Sequence, residues 1–224
     1  MISFLAPILA VVFGIVIVLL YSKSKPLNLK LFLAFSGAFL LSTTIFELLP
    51  EVYFQLEPKK IGVFIMSGIL LQILLEFYSK GAEHGHLHHH ESNTDFPWFL
   101  FVSLGIHSFL EGFPLKDHHN IIIGVVIHKI PIAILITTYL IKSKLKTSQV
   151  VLFLFIFTMM TPLGAISAEI LSISPTLIYS INAIVIGMFL HISTIILFES
   201  SEGHHFNLNK ILMIVGAVVL AYFI

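Results

Sequence analysis

An all-α chain threaded repeatedly through a membrane is the fold class this sequence predicts, and three observations carry it. Of 224 residues, 57% are hydrophobic and only 11% charged, whereas a soluble globular chain carries roughly a quarter charged residues. Mean hydropathy is +1.01. The apolar residues fall in runs of about 17 residues or more, the length a helix needs to cross a hydrocarbon core of ~30 Å. No strand-like alternation competes over such lengths. The net charge is zero with histidine neutral, so nothing points to nucleic acid. The absence of cysteine removes disulfides and thiolate metal sites.

Eight spans follow in order, within a single transmembrane domain covering residues 1–224. Ile2–Leu20 is an unbroken apolar run without the basic start and short core of a cleaved signal peptide, so it counts as the first. Leu29–Leu49 is the second, closed by Pro50, with Glu47 inside its far end and a mixed-charge loop beyond. Ile61–Tyr78 is the third. Residues 79–95 form the one long polar stretch, with His84, His86, His88, His89 and His90. Phe96–Lys116 and Asn120–Ile141 make a hairpin, and Lys142, Lys144 and Lys146 give a basic loop after it. Val150–Leu171, Thr176–Phe198 and the shorter Leu208–Ile224 complete the set. No internal repeat is visible. All basic residues are lysine, and placing the N-terminus outside puts Lys23, Lys25, Lys30, Lys80, Lys142, Lys144, Lys146 and Lys210 on the cytoplasmic side. Only Lys59, Lys60 and Lys116 then lie outside, so the positive-inside rule orients both termini outside and the histidine loop inside.

The chemistry concentrates in the hairpin. The link Asp117–His119 makes its arms antiparallel, and His107 and His128 lie almost equally far from the middle of that link. At ~1.5 Å per residue both sit ~15 Å deep, near the bilayer midplane. Glu111 follows His107 by one turn on the same face. Two imidazoles and a carboxylate can therefore converge where water does not reach. Ionisable groups at that depth mark ion pathways, and this donor set suits a borderline divalent cation such as zinc. The plain alternative is a hydrogen-bonded cluster that holds helices together.

Other residues have two readings each. Ser108 either packs helices or shares in the site. Pro114 and Pro131 are either tolerated kinks or devices that free the Leu110 and Ile127 carbonyls toward the ion's route. Glu47 and His191 either pair structurally or line the metal pathway, Glu199 is interfacial near the cytoplasmic exit, and Glu76 and Glu169 read as interface charges. The histidine loop is a solvated linker or a loose zinc buffer, outside the membrane in both cases.

His107-Ser-Phe-Leu-Glu111-Gly112 and His128-Lys129-Ile-Pro131 together resemble the fourth and fifth helices of the ZIP (Zrt/Irt-like) metal transporters. Glu47-Leu-Leu-Pro-Glu51 is similar to the family's second helix, Pro162-Leu-Gly-Ala165 to its sixth, and Gly187-Met-Phe-Leu-His191 with Glu199 to its seventh. The resemblance implies an eight-helix importer of divalent metals, a homodimer in the bilayer, moving ions toward the cytoplasm by an elevator-like motion. It implies Zn2+ as the transported ion, with Fe2+, Mn2+ or Cd2+ as alternatives, in the plasma membrane or an organelle membrane. Where two-metal members carry acids on the fifth helix, this chain has Lys129 and Ile132. With Glu111 as the one carboxylate at the right depth, the reading is a single metal. Lys129 then either pairs with Glu111 in place of a second ion or faces another helix. Two rival classes stand beside the transporter: an intramembrane metalloenzyme, which lacks HExxH, and a metal-free proton relay.

Overall fold

The computed structural model describes residues 1–21, 29–79, 96–116, 119–170, 174–199 and 208–224. The histidines of the 79–95 loop lie outside the described residues. Every regular element among them is helical: α1 (Ile2–Tyr21), α2 (Lys30–Gln55), α3 (Pro58–Ser79), α4 (Trp98–Lys116), α5 (His119–Lys142), α6 (Thr147–Ile170), α7 (Pro175–Glu199) and α8 (Leu208–Tyr222). α1 to α7 are long and apolar enough to cross a membrane, while α8 is apolar but shorter. The surface matches that length. Leu9, Phe13, Leu70, Phe77, Phe155 and Leu212 point outward, while Ser36, Thr43, Gln72, His107, Glu111 and Lys129 are buried. Water would penalise such an exterior over so large an area, and hydrocarbon does not. The chain has the build of a multi-pass membrane protein.

The helices associate where side chains are small, because lipid supplies no hydrophobic force to push them together. Gly68 of α3 meets Gly187 of α7 so closely that a Cβ on Gly68 would lie 1.9 Å from the Ile184 carbonyl oxygen. Gly112 of α4 and Gly164 of α6 interlock likewise, with a Gly164 Cβ falling 1.9 Å from the Phe109 carbonyl oxygen. Contacts further along give directions. Past the Gly68–Gly187 crossing, Glu76 meets His191, so α3 and α7 run parallel. Phe101 meets Phe153 and Glu111 meets Thr161, so α4 and α6 are parallel too. Gly37 lies against Ser193 and Ile196 while Leu48 and Val52 share a cluster with Ala183 and Ile186, which makes α2 and α7 antiparallel. Like-numbered parity running parallel and unlike parity antiparallel is what a chain crossing a slab back and forth requires.

Two helices depart from uniform α geometry. α2 does not stop at Pro50 but continues to Gln55, because a π turn over Thr44–Leu48 precedes the proline. There the Leu49 N–H reaches the Thr44 carbonyl five residues back, a register that lets the helix absorb a residue unable to donate. α4 is not one helix through Lys116: its α segment ends at Leu110, a turn follows at Glu111 and Gly112, and a 3-10 turn spans Phe113–Lys116. Pro114 cannot donate to the Leu110 carbonyl, and Gly112 is drawn against the Thr161 backbone. α5, by contrast, carries Pro131 inside a helix that continues to Lys142.

A relation invisible in the sequence appears in the pairings. Exchange α1 with α6, α2 with α7, α3 with α8 and α4 with α5. The α3–α7 pair becomes α8–α2, the α1–α5 pair becomes α6–α4, and the α1–α6 and α2–α7 contacts map onto themselves; all of these pairings exist. The packing of α2 against α5 has no counterpart of similar extent between α7 and α4, nor has that of α3 against α4 between α8 and α5, among the described residues. The α3–α4 contact delivers one residue of the candidate site.

Candidate functional site

Four helices contribute. α4 supplies His107, Ser108 and Glu111 at the point where its α segment ends, so Glu111 sits at the negative end of the helix dipole and needs positive compensation. α5 supplies it: the Lys129 ammonium binds Glu111 Oε1, with both side chains almost wholly buried (3% and 1% exposed). Lys129 Nζ also lies 3.4 Å from Ser108 Oγ and 4.9 Å from the centroid of the Phe157 ring of α6. The Thr161 hydroxyl, also of α6, is 2.6 Å from Glu111 Oε1 and 2.9 Å from the Ser108 carbonyl oxygen, and its one proton is shared between them. From α3, the fully buried Gln72 places Oε1 3.2 Å from His107 Nδ1.

One side of the carboxylate is therefore saturated and the other is not. Oε1 takes the ammonium and the hydroxyl, whereas Oε2 is buried with no hydrogen-bond partner among the described residues. It faces His107 Nε2 at 3.5 Å. That spacing has a chemical reading: a cation bound at ~2.05 Å to an imidazole nitrogen and ~2.1 Å to a carboxylate oxygen at the tetrahedral angle sets the two donors about 3.4 Å apart. The spacing of His107 Nε2 and Glu111 Oε2 is one that two donors to a single small divalent ion could adopt, as well as one that an ion pair adopts. Among the described residues no three His, Asp or Glu side chains gather closely enough to hold a metal. His128 is buried on the same turn of α5 as Lys129, but the structure does not bring it into a three-ligand group with His107 and Glu111.

The outlying residues are found in pairs. Glu47 accepts a hydrogen bond from Asn120 of α5 at 3.1 Å. His191 Nε2 and Glu76 Oε2 are 2.8 Å apart across α7 and α3, so Glu76 has a specific partner and is more than an interface charge. Glu199 is the last residue of α7. Lys210, counted above among loop lysines, is buried and donates to the Leu197 carbonyl of α7 at 2.6 Å. An apolar groove of about 360 Å³, lined by Phe101, Ile106, Phe109 and Met160 among others, opens on the α4–α6 pair. Its chemistry offers nothing to an ion.

Gln72, Thr161 and Phe157 are members of the site that sequence reading did not single out. Gln72 had a usable signal, since it is an amide in the middle of the apolar run Leu70–Leu75 and such groups rarely face lipid. Thr161 directly precedes Pro162-Leu-Gly-Ala165, a motif noted for other reasons. Phe157 is one phenylalanine among 21, and nothing distinguished it. In comparisons with known proteins, no family model and no curated protein matches this chain.

Proposed function

We propose that the protein carries a divalent transition-metal ion, zinc before iron, manganese or cadmium, across its membrane toward the cytoplasm, as a ZIP-like transporter. The observation that carries this reading is the His107 Nε2–Glu111 Oε2 pair, held 3.5 Å apart in a buried interior with no hydrogen bond to Oε2 among the described residues. The ion displaces Lys129 from Glu111, and His128 completes the donor set in the conformation in which Lys129 has left, with water or Ser108 filling the shell. One cation, not two, occupies the site, because Glu111 is the one buried carboxylate among the described residues and cannot alone screen two divalent charges.

One feature of the fold and one of the sequence support transport over a static role. The helix exchange swaps odd with even helices and so reverses their sense across the bilayer, the arrangement of inverted repeats through which transporters alternate their access. Counting lysines in the sequence favours both termini outside for the eight expected spans, an orientation in which the histidine loop would meet arriving metal. The test is uptake of zinc into liposomes containing the purified protein, with iron, manganese and cadmium in competition. Zinc-dependent uptake is expected. Acidification of the liposomes without metal flux would establish the proton-relay reading instead, and hydrolysis of a peptide panel the metalloenzyme reading.

A further inference from the structure

We infer that Gln72 is a positioning residue: by accepting a hydrogen bond from His107 Nδ1–H it holds the imidazole in the tautomer whose Nε2 lone pair faces Glu111 Oε2. This rests on the transport-site reading above and adds to it a residue from a third helix. The geometry is specific. Gln72 Oε1 is 3.2 Å from His107 Nδ1, and both side chains are buried, Gln72 completely. An amide oxygen can only accept, so that bond places a ring proton on Nδ1.

The other end of the ring is consistent with this. If Nε2 carried the proton, it would donate to the carboxylate oxygen in front of it. The molecule contains such a bond for comparison: His191 Nε2 and Glu76 Oε2 stand 2.8 Å apart. The corresponding atoms of His107 and Glu111 stand 3.5 Å apart, and Oε2 has no hydrogen bond among the described residues. Two acceptors facing each other at that separation present their lone pairs to a cation. A ligand histidine held through its far nitrogen is also better oriented and more basic, and loss of such a partner typically costs 10- to 100-fold in metal affinity.

Gln72 is itself held in register. It lies one turn beyond Gly68, whose backbone abuts Ile184 of α7, so α3 cannot slide without forcing the two helices apart. The same face of α3, one further turn on, carries Glu76 bonded to His191. The α3–α4 contact that brings Gln72 to His107 has no counterpart of similar extent under the pairing exchange among the described residues.

The experiment is nitrogen-15 NMR of histidine-labelled protein, with His107 assigned by difference against His107→Asn, alongside zinc titration of the same samples. The wild type is expected to show His107 protonated at Nδ1. Gln72→Met should raise the Nε2-protonated population and weaken zinc binding 10- to 100-fold. Gln72→Glu, which can still accept from Nδ1–H, should keep the wild-type tautomer and bind zinc within a few-fold of wild type. A wild-type His107 protonated at Nε2 overturns the inference, as does Gln72→Met with unchanged tautomer and affinity. If the tautomer responds to Gln72 as expected but no variant binds zinc, the positioning role stands and the transport reading fails.

Discussion

Replacing Lys129 by methionine removes the ammonium and keeps most of the volume of its stem, which isolates the charge. Glu111 is then left buried without its cation, and removing one member of a buried ion pair typically costs 3–5 kcal/mol, about 3–5 here because Glu111 is 1% exposed. For a chain of this size about 1 kcal/mol moves the melting temperature by roughly 2–4 °C, so a fall of about 6–20 °C is expected in chelator. Zinc should reverse it. In the wild type an arriving ion must displace a charge-assisted hydrogen bond worth about 1.5–3 kcal/mol, so Lys129→Met should bind zinc about 10- to 150-fold more tightly. The assay is thermal unfolding of purified protein in detergent, with chelator and across a zinc titration. Glu111→Gln combined with Lys129→Met removes both charges and should recover most of the stability lost by the single change. A Lys129→Met protein that melts within about 2 °C of wild type and binds zinc with unchanged affinity refutes the pairing as the element that governs the site. Two zinc ions bound within bridging distance of Glu111 in the wild type would refute the one-metal model.

Three further outcomes are expected, two from the geometry and one from the sequence of the histidine loop. His107→Ala, Glu111→Ala and His128→Ala should each abolish zinc uptake in proteoliposomes while inserting normally; near wild-type uptake by any of them removes that residue from the site. Gly68→Ala should destabilise the fold by about 2 kcal/mol or more, because its Cβ meets backbone at 1.9 Å. Gly105→Ala, with nothing among the described residues within 4 Å of its Cβ, should be neutral or mildly stabilising, and chemical denaturation compares the two. Replacing His84, His86, His88, His89 and His90 together with serine should preserve uptake and weaken zinc binding on the cytoplasmic side. Complete loss of uptake in that variant would place the loop in the transport path itself.

Length and polarity alone were enough to determine that this chain is helical and built for a membrane. Runs such as Ile2–Leu20 and Thr176–Phe198 can satisfy their backbone in lipid only as helices, whatever they pack against. The i, i+4 relation of His107 and Glu111 was legible for the same reason, being a property of one helix, and their side chains do face each other. Interruptions within helices were less legible. The π turn before Pro50 and the end of the α segment at Leu110 depend on how Thr44–Leu48 and Gly112 seat against their neighbours.

What only the tertiary structure decided is which helices meet. Thr161 reaches Glu111 and His191 reaches Glu76 because small residues let α4 and α6, and α3 and α7, approach to backbone contact, and Gln72 reaches His107 where α3 packs on α4. Small residues are common along all these spans, so their presence does not name their partner. The Lys129–Glu111 contact was one of two readings the sequence allowed, and the register of α5 against α4 selects it. That register also leaves His128 outside a three-ligand group with His107 and Glu111. A position 100° around a helix is fixed by the sequence, but the neighbour it faces is set by packing.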